Sequence, residues 1–286
     1  MLEEEVKERL ARGEQVRAVV MTVEGEFVFD VRDRYGGWPL SAGEWEPTET
    51  AFVKSILRSG DLVVDAGANL GWYSVLASRL VAPGGIVLAF EPDPTNAGLL
   101  ALNATRNNAT ENLRLFVCAL YECDTTVAFE LSVENFGDHR IRVEGSRGLD
   151  LYGENSRRTL SVPARSLDSV LSDEKLGGRP IRLMKVDTQG SEVAIFRGGL
   201  GALQRTEYLV SEFWPYGLMR AGYEVGEYSA IVREYFSEFA RLTSPNPPFA
   251  SIAKLEDDLS LPHEEAPETP AGFTNYVFRK TSSPTA

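Results

Sequence analysis

The sequence predicts an α/β fold, a mostly parallel sheet with helices on both faces, and three observations carry that reading. Short, almost wholly apolar strands alternate with helical patterns from Leu62 onward. The first of those strands ends in an acid, Asp65, and passes through a glycine turn into a helix. With 43% hydrophobic residues among 286, the chain has material for one large core.

The elements follow in order. Val16–Val23 and Glu26–Val31 are β-rich runs around Glu24-Gly25, which predicts a hairpin. Gly36–Pro47, rich in Gly, Trp and Pro, reads as a loop. Thr48–Ser59 carries Phe52, Val53, Ile56 and Leu57 on one helical face and stops at Gly60. Strands are expected at Leu62–Val64, Ile86–Phe90, Leu113–Cys118 and Ile181–Val186, with another opening at Tyr208–Val210 and a last one at Asn275–Phe278. Helices are expected at Gly71–Leu80, Thr95–Arg106, Ser191–Arg197 and Val225–Phe239. Residues 135–163 and 244–270 break this rhythm and read as irregular insertions. The expected organisation is one domain: hairpin and loop over 1–47, a core over 48–240 with its insertion at 135–163, and a terminal segment over 241–286.

Charge narrows the partners. Net charge is −13, with 29 Lys+Arg against 42 Asp+Glu and no local basic cluster. Such a surface repels nucleic acid and anionic membrane and suits a neutral or cationic small molecule. Cys118 and Cys123 do not make a disulfide framework, and the N-terminal residues lack the pattern of a signal peptide. No apolar run is long enough to cross a bilayer. A cytoplasmic protein is expected, in which the glycosylation patterns at Asn103 and Asn108 carry no meaning.

The most informative stretch is Leu62-Val-Val-Asp-Ala-Gly-Ala-Asn-Leu-Gly-Trp-Tyr-Ser74. Gly67 and Gly71 permit a sharp turn and close approach of a ligand, and amides at the start of the following helix can receive a carboxylate. Asn69 stands where the dinucleotide fingerprint requires glycine, so a carboxylate-bearing nucleoside fits better than a pyrophosphate. The next strand ends in Glu91, about 20 residues beyond the loop, where an acid can accept hydrogen bonds from both ribose hydroxyls.

The run from Gly60 through Ser74 resembles the first motif of the FkbM family of S-adenosylmethionine (SAM)-dependent methyltransferases. Lys185-Val-Asp-Thr-Gln-Gly-Ser-Glu192 resembles that family's second hallmark, and the likeness extends from about Trp45 to Glu212. It implies the class I methyltransferase (Rossmann-like) fold, with a seven-stranded sheet and SAM across the carboxyl ends of the strands. Asp65, Gly67, Asn69 and Gly71 would hold the methionine portion, Glu91 the ribose, and Cys118 and Ala119 would lie near the adenine. Gln189 departs from the family pattern, which usually has Glu there. The implied reaction is O-methylation of a hydroxyl on a small molecule of natural-product or sugar type.

A hydroxyl needs a base, because a neutral alcohol is a weak nucleophile. Asp187, ending the Ile181–Val186 strand, and His139, in the irregular insertion, are the candidates; Asp138 or Asp187 would orient the imidazole. Glu192 reads either as part of that site or as a helix cap. Glu212 could pair with Asp187 around a divalent ion, but two carboxylates make a thin ligand set and no metal is expected. Trp214, Pro215 and Tyr216 line the acceptor pocket or pack the core, and His263 is expected at the surface. The competing readings are a metal-dependent catechol-type enzyme, an N-methyltransferase, a SAM-binding protein without catalysis, and a nicotinamide oxidoreductase.

Overall fold

A computed structural model of the chain describes residues 8, 9, 12, 14, 16–143, 150–263 and 272–281. β1 (Arg17–Thr22) and β2 (Gly25–Asp30) pair as the expected antiparallel hairpin. The expected loop that follows contains a short helix, α1 (Gly37–Leu40), and α2 (Pro47–Ile56) begins on a proline whose fixed φ suits a first helical turn. Then come β3 (Leu62–Ala66), α3 (Trp72–Val81), β4 (Ile86–Phe90), α4 (Pro94–Arg106) and β5 (Leu113–Phe116). Asp93 caps α4 by accepting the Asn96 N–H at 3.1 Å.

A second sheet follows: β6 (Ala119–Leu120), β7 (Thr125–Leu131), β8 (Arg140–Ile141) and β9 (Arg158–Arg165). The chain returns to the core through α5 (Leu167–Asp173), β10 (Ile181–Val186), α6 (Glu192–Arg197), α7 (Leu200–Arg205) and β11 (Thr206–Phe213). It ends with α8 (Pro215–Arg220), α9 (Val225–Tyr235), β12 (Glu238–Arg241), β13 (Ala250–Ser251), α10 (Leu255–Leu259) and β14 (Thr274–Arg279).

The main sheet has the order β13-β12-β14-β11-β10-β3-β4-β5. β11, β10, β3, β4 and β5 are parallel, and β14 inserts antiparallel between β11 and β12. Eight strands therefore stand where seven are expected; the shortest, β13, is a two-residue edge strand. Apolar residues alternate between two cores. Leu62, Val64, Leu88, Phe90, Met184 and Val186 pack on one face, while Val63, Val87, Leu183 and Val210 pack on the other. That double burial is why these strands read as continuous apolar runs.

The insertion is the largest departure from the sequence reading. Its ends pair as strands, β8 within it and β9 running across Pro163, and β7 lies just before it. β6 continues directly from β5 and pairs parallel with β9, so this sheet grows from the end of a core strand. Polar outward positions on β7 and β9 hide the alternation, since their inner face needs only Phe129, Val162 and Ala164. Likewise α9 stops at Tyr235, and Phe239 belongs to β12 rather than to the helical stripe. Among the described residues no helix is long and apolar enough to cross a membrane.

Asn103 on α4 and Asn107, which caps its end, tie the hairpin to this core. Asn103 accepts the Val28 N–H at 2.7 Å and donates to Val28 O and Leu70 O, while Asn107 makes the same exchange with Glu26. Spaced four apart on one helix face, the two amides mimic a partner strand for β2. Asn103 is fully buried and cannot carry a glycan.

Candidate functional site

The order of β10, β3 and β4 places a topological switch point at the carboxyl end of β3. The chain proceeds from β3 to β4 on one side and from β10 to β11 on the other. A cavity of about 480 Å³ opens there. Asp65, Gly67, Asn69, Glu91, Cys118 and Ala119 all line it, as do His139 and Asp187, whereas Gly71 is not part of its lining.

The glycine loop takes its shape from close packing. Gly67 has φ of +81°, and a Cβ there would lie 1.9 Å from the Asp187 carbonyl oxygen. Gly71 has φ of +96° and leaves no room beside Leu100. Both positions require glycine on two counts. The loop's own amides, ahead of those at the helix start, are already engaged. Gly67 and Ala68 donate to Phe90 O, Gly71 donates to Ala68 O, and Asn69 donates to the Glu91 carboxylate at 2.8 Å. Those four hydrogens hold the loop's own shape and do not await an anion.

Asp65 is 2% exposed. Ser74 Oγ donates to its Oδ2 at 2.6 Å, while its Oδ1 is buried without a partner. Burial raises its pKa, against the opposing pull of Lys185. An unpartnered carboxylate oxygen in a cavity wall is suited to a ligand ammonium group. Glu91 accepts the Asn69 and Asp93 N–H groups on separate oxygens. Burial nevertheless carries its pKa to about 8, with the nearby Asp93 adding to the effect. Burial also pushes the Cys118 thiol up to about 11, so it lines the cavity as a neutral group.

Opposite the Glu91 side lies a cluster that the sequence disclosed only in part. Lys185 is buried, sits 2.8 Å from Asp187 Oδ2 and stands over the Tyr73 ring at 4.7 Å. Desolvation disfavours its charge, but Asp187, Glu46 and Asp65 outweigh that penalty and keep it protonated. Glu46 reaches the cavity from the residue before α2, in a left-handed backbone conformation of φ 41°. Tyr73 Oη donates to it at 2.6 Å, and burial raises its pKa to about 7. The signal for Lys185 was present, because a lysine flanked by Leu183, Met184 and Val186 in a core strand is rare. Glu46 in a Gly/Trp/Pro loop had none.

Gln189 explains its own departure from the family pattern. Its Nε2 donates to Asp187 Oδ1 at 3.1 Å and to Glu212 Oε2 at 3.0 Å, so an amide lies between two carboxylates. A third acid there would add repulsion to a cluster already short of cations. Burial, then Asp187 and Glu192, push the Glu212 pKa well up. Glu192 turns back to accept the Thr188 and Gly190 N–H groups, while its other oxygen is buried without a partner. Among the described residues, no three metal-ligating side chains converge.

His139 lines the cavity and has no hydrogen bond with Asp187, whose oxygens are taken by Lys185 and Gln189. Its Nδ1 accepts the Ser132 N–H at 3.0 Å, and its Nε2 faces Asp93 Oδ2 at 4.0 Å. Burial, with Arg157 nearby, lowers its pKa to about 4. Asp138 does not orient it but binds Arg140 and Arg157. Trp214 and Tyr216 pack against Tyr152 outside the cavity lining, as core residues of the second sheet's flank. His263 is half-buried against Phe213 rather than at the open surface.

With that geometry in view, the comparisons are specific. Residues 65–240, more than half of the chain, match the family described as Methyltransferase FkbM domain. Methyltransferase sdnD of Sordaria araneosa is 28% identical over 171 residues, covering 53% of this chain and 65% of its own. Methyltransferase 1 of Beauveria bassiana (strain ARSEF 2860) is 25% identical over 145 residues, covering 48% and 57%. The chain thus spans less than two thirds of the length of these relatives. Among solved structures, a SAM-dependent O-methyltransferase from Thermotoga maritima covers 93% of this chain and 78% of its own, with 12% identity and a TM-score of 0.41. An O-methyltransferase from Bacillus cereus in complex with SAH covers 85% and 84%, with 13% identity and a TM-score of 0.39. The chain belongs to the FkbM family of SAM-dependent methyltransferases.

Proposed function

We propose that this FkbM-type protein methylates a hydroxyl on a neutral or cationic small molecule. One observation carries the reading: among the described residues, Glu46, Asp65, Glu91, Asp187 and Glu212 line the cavity against Lys185 as their only lysine or arginine. A ligand bearing sulfonium and ammonium charges suits that wall, and a pyrophosphate does not. The same imbalance, with a net charge of −13, disfavours a nucleic-acid acceptor.

SAM supplies an activated methyl group when bound. Asp65 Oδ1 would receive its ammonium, the turn at Gly67, Asn69 and Gly71 would border its methionine portion, Glu91 would accept from its ribose, and Cys118 and Ala119 would flank its adenine. The acceptor would enter at the opposite end, over Asp187 and Glu46. Positioning supplies most of the rate there, since effective molarity alone reaches about 10⁵ M or more. The hydroxyl proton would pass to Asp187 or Glu46. Asp187 has both oxygens engaged, by Lys185 and Gln189, whereas Glu46 sits near neutrality with one hydrogen bond from Tyr73. The Gln189 amide between Asp187 and Glu212 favours a metal-free site, because it fills the position that a bridging cation would take.

Calorimetry with SAM, SAH and NAD, followed by methyl transfer to a panel of hydroxyl-bearing small molecules with and without EDTA, tests this. Binding of SAM and SAH, no heat from NAD, and turnover unaffected by EDTA are expected. Tight NAD binding with none of SAM would overturn the assignment, and loss of turnover on chelation would replace it with the metal-dependent reading.

A further inference from the structure

The β7–β8 connection crosses the nucleoside end of the cavity, and its attachments hold it there. Phe136 accepts from Asn96 Nδ2 through its carbonyl and donates its N–H to Asp33 Oδ1, and Glu134 O accepts the Arg34 N–H. Asn96 belongs to α4, whose start follows Glu91, and Asp33 belongs to the segment leaving the hairpin. Two parts of the core thus pin the connection over the end of β4. Phe129 and Phe136 flank the His139 ring at 6.2 and 5.4 Å between centroids, and all three line the cavity.

We infer that His139 is a nucleoside-binding residue, presenting its Nε2–H as a fixed donor to the purine nucleoside of the cofactor. The reading rests on the proposed SAM site, in which Glu91 holds the ribose. Because Nδ1 is occupied by the Ser132 N–H, the neutral ring must carry its proton on Nε2. That nitrogen lies 4.0 Å from Asp93 Oδ2, two residues beyond Glu91, while Asp187 is engaged by Lys185 and Gln189. A ring so arranged has no lone pair to offer an acceptor hydroxyl. It is instead a donor locked in one tautomer by backbone and in one plane by two phenylalanines. It comes from the insertion and not from the glycine loop, and it stands in the cavity wall.

The test needs no acceptor. SAH and 5′-methylthioadenosine, which share the nucleoside but not the amino-acid portion, are titrated into wild type and His139→Ala by calorimetry. His139→Ala is expected to weaken both about 5- to 10-fold, equally at pH 6 and pH 8. A loss confined to SAH, or equal affinity in both proteins, would overturn the inference. The chain has only two histidines. In ¹⁵N-histidine spectra of wild type, with His263→Gln supplying the assignment, His139 should hold the Nε2–H tautomer and shift on adding 5′-methylthioadenosine. A ring that titrates near pH 6.5, or does not respond to ligand, also sinks the idea, whatever the alanine variant does. Failure of wild type to bind SAH at all would instead remove the SAM site on which the inference stands.

Discussion

Glu130, Asp138 and Glu154 are as deeply buried as Asp65, Glu91 and Glu212, yet the two sets have opposite company. The first three, in and beside the second sheet, surround Arg140 and Arg157: Arg140 lies 3.3 Å from Glu130 and 2.8 Å from Asp138, and Arg157 pairs with Asp138. The second three, around the cavity, have only the nearby charge of Lys185, itself bonded to Asp187, besides a serine hydroxyl, backbone amides and a glutamine side chain. Glu154 and Glu91 mark the contrast in their carboxyl pKa values. Burial pushes Glu154 up, but the Tyr216 hydroxyl, local amides and Arg140 outweigh it and hold the acid at about 2. Burial wins at Glu91, which lies at about 8. A buried acid that has its counter-charge builds the fold; one left without it awaits a ligand, and the fold bears the strain until the ligand arrives.

The strongest way to break this contrast is to remove the cation. Arg140→Met should destabilise the protein by about 3–5 kcal/mol, read as a drop in urea midpoint, because three buried acids would lose their shared partner. A loss below about 1 kcal/mol would mean that the second sheet stands on its apolar contacts alone.

pH sharpens the comparison next. Glu46, Glu91 and Glu192 have folded pKa values raised to about 7, 8 and 7. Their protonated forms are favoured in the native state, so the stability they contribute is complete below about pH 4.5 and falls as pH rises through 7 to 8. Glu154 has the opposite sign: its contribution is present above about pH 4.5 and disappears as pH falls toward 2. His139, lowered to about 4, adds a loss between about pH 6.5 and 4. Ligand-free protein should therefore lose about 4 kcal/mol between pH 6 and pH 8, and saturating SAH should flatten that slope, because ribose hydroxyls would solvate ionised Glu91. A thermal-melt series that declines equally with and without SAH would detach Glu91 from the ligand.

Glu192→Gln isolates one contributor. The amide oxygen can keep the Thr188 and Gly190 hydrogen bonds, while the buried, unpartnered carboxylate oxygen disappears. The variant should be about 2 kcal/mol more stable than wild type at pH 8 and nearly equal to it at pH 5. Greater stability at both values would point to packing and not to charge.

Much of this was legible in the residues. The core strands announced themselves because each is apolar on both faces, and Ile86–Phe90 and Ile181–Val186 end where the structure ends them. Asp65, Glu91 and Asp187 were readable because a strand-terminal acid before a turn is a local pattern. Glu46, Tyr73 and the Ser132–His139 bond were not, since each depends on segments that meet only in the folded chain. The second sheet was obscured because its small apolar face gives β7 and β9 weak periodicity. The partners of the buried arginines were hidden for the same reason: charge at Arg140 and Arg157 looks like solvent exposure until the fold encloses it.

The smallest effect tests whether burial, and not pairing as such, separates the two regions. Arg233 and Glu256 form an ion pair across α9 and α10 with side chains 43% and 63% exposed. Water solvates both groups whether or not they meet, so the pair replaces hydration instead of relieving its absence. Arg233→Gln should shift stability by less than about 0.5 kcal/mol and respond to salt, whereas the Arg140→Met loss should persist at 1 M NaCl. If the exposed variant cost as much as the buried one, enclosure would not be the quantity that distinguishes these acids. The division between the arginine-filled sheet and the acid-lined cavity would then need another cause.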